Sequence, residues 1–222
     1  MRSSGENLLL VEGESDKSLL TKVITRLKLR TDVMVAPPKD VAGRANNKEG
    51  LLQHLPTLLE QMPDGRLKRF AIVLDADFAG SHGLGCTKTL DRIEATLNRH
   101  SFSLAKSPPQ DHGRTFRHPD GLADIGVWIM PDNRADGALE DFLSTCITAD
   151  EKALFQSAQK AVAGIKNRKF AETHVSKAEI ATWFAWQKEP GRGADHALTN
   201  GLFDETCPSF VGLTDWLRRI FQ

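Results

Sequence analysis

Hydrophobic and polar positions along the chain switch repeatedly between two periods. Asn7 to Val11 is a short apolar run that ends in EGES, and Leu19, Leu20, Val23, Ile24 and Leu27 then follow helical spacing behind Ser15, a residue suited to cap a helix. A second run, Asp32 to Ala36, stops at Pro37 and Pro38 and opens into the polar segment KDVAGRANN, after which a helix is expected over about 49–61. Phe70 to Leu74 carries no polar interruption, as in a strand covered on both faces, and ends in Asp75, Ala76 and Asp77. Past FAGSHGLG, helical spacing returns over 87–99. Residues 106–124 are rich in Pro, Gly, His and charge and are read as loop. They lead into a further buried strand, Ile125 to Met130, that stops at Pro131, Asp132 and Asn133. From Gly137 onward the patterns are helical, over about 138–146, 150–164, 176–188 and 209–220.

Alternating strand and helix through residue 148 predicts an α/β fold with a mostly parallel sheet flanked by helices. The expected organisation is an α/β domain over 1–148 and a helical extension over 149–222 packed on it. In such sheets ligands bind beyond the carboxyl ends of the strands.

Composition narrows the functional classes. The 29 basic and 29 acidic side chains cancel, so nucleic acid cannot be held by bulk charge and any phosphate affinity must be local. Three cysteines, Cys86, Cys146 and Cys207, lie far apart in sequence without a CxxC pair, which argues against a disulfide framework and a zinc site. A reducing cytoplasm fits. No apolar run approaches the roughly 20 residues of a membrane span, and the start of the chain lacks a signal peptide's apolar region. The chain has no tyrosine, which removes tyrosyl nucleophiles.

Three expected strands deliver acids at the same kind of place. Glu12, Glu14 and Asp16 follow the first, Asp75 and Asp77 follow the strand at 70–74, and Asp132 follows the strand at 125–130. Carboxylates gathered in one cleft repel unless a cation compensates, and oxygen ligands without Cys or His select Mg²⁺ or Mn²⁺. On an extended chain Asp75 and Asp77, two apart, point the same way and grip one ion. Asp16 is either a first-turn dipole acid or a ligand. Glu140 and Asp141 are either dipole acids of the next helix or a further edge of the cluster.

VEGESD after an apolar strand, followed by LDAD at 74–77, resembles the Toprim fold. That magnesium-binding catalytic domain is shared by bacterial primases, topoisomerases, recombination mediators and overcoming-lysogenisation-defect (OLD) nucleases. VEGESDKSLL, IVLDAD, GVWIMPDN with GALEDFL, and SKAEIATWFAWQ resemble more closely a small, largely uncharacterised bacterial Toprim-like family related to the OLD nucleases, across residues 8 to about 221. The resemblance implies that the domain over 1–148 is catalytic, that Glu12 is a general acid or base or a metal ligand, that Asp75 and Asp77 bind metal, and that Asp16 is a further ligand. It also implies that a late-helix lysine, here Lys177, stabilises the scissile phosphate. The absent tyrosine excludes topoisomerase activity in cis, and neither a zinc ribbon nor an ATPase module is present.

The expected activity is Mg²⁺-dependent hydrolysis of nucleic-acid phosphodiesters, with DNA ahead of RNA. The alternative is a non-catalytic Toprim module that binds nucleic acid or a nucleotide beside a protein partner. Lys88, at a helix start after the glycine-rich segment, either meets a phosphate or ends a plain mobile loop. Arg114 and Arg117 flank Phe116, either to contact a single strand by charge and stacking or as part of a solvated loop. Between 158 and 192 seven Lys or Arg, Lys169 and Lys177 among them, outnumber three Glu and form the best phosphate-facing patch. Trp183, Phe184 and Trp186 are read as core in preference to stacking platforms. His82, His112 and His118 fall in expected loops, and His82 with Cys86 makes a poor zinc pair.

Overall fold

The computed structural model of the chain describes residues 6–37, 39–41, 44–80, 83–105 and 113–222. His82, the whole of 106–112 with His112 in it, and part of the segment at 38–43 lie outside the described residues. In chain order the strands are β1 (Asn7–Val11), β2 (Asp32–Val35), β3 (Lys39–Val41), β4 (Arg44–Asn46), β5 (Arg69–Asp75), β6 (Ser103–Leu104), β7 (Arg114–Arg117) and β8 (Ile125–Met130). The helices are α1 (Glu14–Arg26), α2 (Asn47–Leu59), α3 (Gly85–Arg99), α4 (Leu139–Thr145), α5 (Lys152–Ala163), α6 (Val175–Ala185), α7 (Ala194–Thr199) and α8 (Pro208–Phe221).

The architecture is α/β with a mixed six-stranded sheet in the order β2-β1-β5-β8-β7-β6. β2, β1, β5 and β8 are parallel, while β7 and β6 continue the sheet antiparallel. Both faces are covered, which explains the uninterrupted apolar runs. On one face Leu9, Val11, Ala71, Val73, Trp128 and Met130 pack with buried residues of α1, α4, α5, α6, α7 and α8. On the other, Leu10, Ile72, Leu74, Val127 and Ile129 pack with α2 and α3. The alternation along each strand is the period of two that splits side chains between faces. Residues 149–222 belong to the same hydrophobic core as β1, β5 and β8, and α8 lies so close to β8 that a Cβ on Gly126 would stand 2.7 Å from Ile220 Cγ1.

Several expectations are corrected. Arg114–Arg117 is a strand paired with β8, not loop, because Thr115 and Phe116 are buried at the sheet's antiparallel end. Gly13, not Ser15, caps α1, its carbonyl accepting from Lys17 N at 3.0 Å. Cys146 and Cys207 are far apart in sequence, yet their sulfurs stand 3.0 Å apart as free thiols where the end of α4 meets the start of α8. Burial pushes the Cys146 thiol up, with the neighbouring Cys207 adding to the effect. Among the described residues no helix is long and apolar enough to cross a membrane.

Candidate functional site

Strand register assembles the site. Val11 lies opposite Val73 and Asp75 opposite Met130, so Glu12 and Asp75 leave neighbouring strands at the same end of the sheet. Asp75 N donates to Glu12 Oε2 at 3.3 Å. Asp16, in the first turn of α1, lies over that end and is only 6% exposed. Its Oδ1 is buried with no hydrogen-bond partner. A charge so placed is costly, and the proton affinities show it. Burial, with Asp77 and Asp16 reinforcing it and Lys48 opposing it, raises Glu12 to about 7. Burial and the nearby Glu140 raise Asp16 to about 6, against local backbone hydrogen bonds and Lys177. Asp75 is held well above the usual carboxylate range by burial and by Asp16, Glu12, Glu140 and Asp77 around it.

The pair at the end of β5 does not share one extended geometry. Asp77 has φ +59, in the left-handed region, so the chain turns between the two acids. Asp75 Oδ1 accepts from Leu139 N at 2.9 Å. Asp77 exchanges backbone hydrogen bonds with Gly137, at 2.8 and 3.0 Å. Its carboxylate is ion-paired with Lys48, whose Nζ also donates to the Asp75 carbonyl at 2.6 Å. Gly83 is required here by close approach: a Cβ on it would stand 2.6 Å from Asp77 Cβ. Asp136 clasps the same loop, accepting from Ala79 N at 2.9 Å and Cys86 N at 2.8 Å.

A cleft of about 230 Å³ opens beside these groups, lined by Asp75, Asp77, Glu140, His174 and Lys177 among others. Lys177, on α6, faces Glu140 Oε1 at 3.8 Å, and its side chain is 65% exposed. The structure therefore brings together Glu12, Asp16, Asp75, Asp77 and Lys177, and adds two residues outside the expected ligand set, Lys48 and Glu140. It does not bring Asp132 to the cluster. That carboxylate caps a turn, accepting from Arg134 N at 3.0 Å and Ala135 N at 2.8 Å. Glu140 takes its place because the Asp77–Gly137 bridge folds the start of α4 back over the strand ends.

The expected substrate contacts are scattered. Lys88, Arg117 and Lys169 are exposed, and Arg117 pairs with Asp124 at 3.5 Å. Arg114 is half-buried and donates to the Asn133 carbonyl at 3.4 Å. Phe116 is wholly buried and offers no stacking surface. Trp183 is core, its indole N–H donating to Glu151 Oε2 at 3.0 Å, whereas Phe184 is half-buried and Trp186 is exposed, against the expectation of core.

Whether the acids fit a divalent cation has two answers. Their chemistry fits: the donors are all oxygens, and Asp16 Oδ1 is a buried acceptor with nothing to accept from. Their arrangement is not a ready-made cage, for among the described residues no group of three or more His, Cys, Asp or Glu side chains is disposed to hold a metal ion. Lys48 and Leu139 N already engage Asp77 and Asp75.

A family model matches residues 6–222, nearly the whole chain. The chain belongs to the DUF3226 family. The description of that family is a protein of unknown function, so membership fixes no activity. Neither the comparison with curated proteins nor that with solved structures returned a match.

Proposed function

We propose that this member of the DUF3226 family is a Mg²⁺-dependent hydrolase of nucleic-acid phosphodiesters, with DNA as the preferred substrate, of the Toprim type that its motifs resemble. The observation that carries the reading is the buried acceptor of Asp16 within a cluster of acids whose proton affinities are raised together. Asp16, Asp75 and Asp77 would hold Mg²⁺ or Mn²⁺, with Glu12 as a further ligand or as the general acid or base. When bound, the ion supplies an activated water and neutralises charge on the phosphate.

The chain's own groups have distinct tasks. Left uncoordinated, Glu12, raised to about 7 by burial, exchanges a proton near neutrality, as a general acid or base must. Lys177 presents an exposed ammonium at the cleft for a phosphate oxygen, and Glu140 orients it. Asp132 is not given a ligand role, since it is exposed and its Oδ1 caps the turn at 134–135.

One observation favours a second reading, a module that binds nucleic acid or a nucleotide beside a protein partner without cutting. Lys48 already pairs with Asp77, so the chain itself supplies a counter-charge to one acid of the set. A single experiment separates the two. Supercoiled plasmid, linear duplex, single-stranded DNA and RNA are incubated with the protein in Mg²⁺, Mn²⁺ or EDTA, beside the Asp75→Ala, Asp77→Ala double variant. Metal-dependent cutting lost in the variant is the expected result. Cutting that survives the double substitution rejects the site, and binding without cutting under every metal selects the second reading.

A further inference from the structure

We infer that Lys48 is a resident counter-ion of the carboxylate cluster, which a divalent cation must displace from Asp77, so that this lysine sets the threshold of metal binding. The inference rests on the metal reading above and adds a positioning residue to it. Lys48 sits in the first turn of α2 and is 7% exposed. A lysine buried so deeply keeps its charge only when paired. Among the described residues its partners lie where β5 ends, namely the Asp77 carboxylate and the Asp75 carbonyl. Its field also reaches Glu12, where it is the strongest influence opposing the effect of burial. Lys177, a second cation of the site, is exposed beside Glu140 and does not substitute for it.

These contacts account for two facts that otherwise conflict. The acids are chemically a hard-cation donor set with an unpartnered acceptor, yet they are not arranged as a cage. With the ammonium held on Asp77, one donor is withdrawn and one positive charge is already in place. An incoming divalent ion meets both the occupied carboxylate and the repulsion of that charge. When the lysine swings off Asp77 its ammonium remains tethered near the cluster by α2, where it holds the Asp75 carbonyl and keeps the loop in register.

The sign of the effect separates this role from a structural one. A lysine that merely braces the loop would, when removed, weaken metal binding. A competing counter-ion, when removed, strengthens it. The test is Mn²⁺ titration calorimetry on the whole chain for wild type, Lys48→Met, Lys48→Gln and Lys48→Arg, all at one common pH of about 8. Lys48→Met and Lys48→Gln are expected to bind Mn²⁺ about tenfold tighter, roughly 1.4 kcal/mol, with Lys48→Arg close to wild type. Equal or weaker binding by a folded neutral variant overturns the inference, with circular dichroism and melting certifying the fold. Lys48→Gln retains hydrogen bonding should Lys48→Met fail to fold. Absence of Mn²⁺ binding by wild type overturns the metal reading and this inference with it, whereas wild-type binding with an unchanged variant affinity overturns the inference alone.

Discussion

Asp16→Asn should stabilise the metal-free protein at neutral and higher pH. The side chain is 6% exposed, Oδ1 has no partner, and burial and Glu140 raise the carboxyl from its ordinary 3.8 to about 6. A carboxyl whose affinity for protons rises on folding favours the folded state fully below its unfolded value and loses that contribution as pH climbs through the folded value. The window here is about pH 4 to 6 for Asp16, extended towards pH 7 by Glu12. The difference between 3.8 and about 6, at 1.36 kcal/mol for each factor of ten, bounds the cost of the ionised form at about 3 kcal/mol. Asparagine removes that cost but brings an amide whose own needs take back about 1 kcal/mol, leaving a net gain of about 1–2 kcal/mol at pH 8. For a chain of 222 residues this corresponds to a rise in melting temperature of about 3–6 °C.

Thermal or urea unfolding in EDTA at a series of pH values reads the gain directly. The advantage of Asp16→Asn should shrink as pH falls and be gone by about pH 4, where the wild-type carboxyl is protonated as well. Saturating Mn²⁺ should reverse the order, because wild type then gains binding free energy that the variant lacks. A variant no more stable than wild type at pH 8 in EDTA would refute the reasoning, as would a gain that does not depend on pH.

Two packing predictions concern the ends of α8. Gly126→Ala places a methyl 2.7 Å from Ile220 Cγ1 and 2.9 Å from Trp216 Cζ2, and should cost about 1–3 kcal/mol, read as a lower urea midpoint at unchanged slope. An unchanged midpoint would show that α8 can lift from β8 at no cost. Cys207 caps α8 through Sγ, which accepts from Phe210 N at 3.4 Å, so Cys207→Ser should exceed Cys207→Ala in stability by about 0.5–2 kcal/mol. Equal melting temperatures for the two variants would remove the cap from the account of that helix.

The parallel half of the sheet was legible because β1, β5 and β8 are buried on both faces and read as unbroken apolar runs ending in turn residues. The antiparallel half was not. β6 has two residues, β7 has four, and β7 carries arginine at both ends, so neither shows a period. β7 is a strand because β8 offers it a free edge, which is a tertiary cause. α7 escaped for a similar reason: six residues behind EPGRG cannot establish a helical period, yet Ala197 and Leu198 are buried and α7 packs against α1.

At the site, the rule that ligands gather beyond the carboxyl ends of parallel strands identified the neighbourhood but not every member. Glu12, Asp75 and Asp77 follow their strands at once, so proximity in sequence located them. Asp132 satisfies the same rule and lies elsewhere, while Glu140 reaches the cluster from eight residues further on. The choice between the two was made by hydrogen bonds between separate loops, Leu139 N to Asp75 and Asp77 to Gly137, which no local pattern encodes. The one local signal was Gly137 before a helix with acids in its first turn. Lys48 had no signal, for in the polar run NNKEG it is indistinguishable from a solvated lysine. Its burial follows only from α2 starting beside the end of β5. A cluster of acids leaves its compensating charge undetermined until the fold is known: the acids predict that a cation must be present, and topology decides whether the first one is a metal or a side chain.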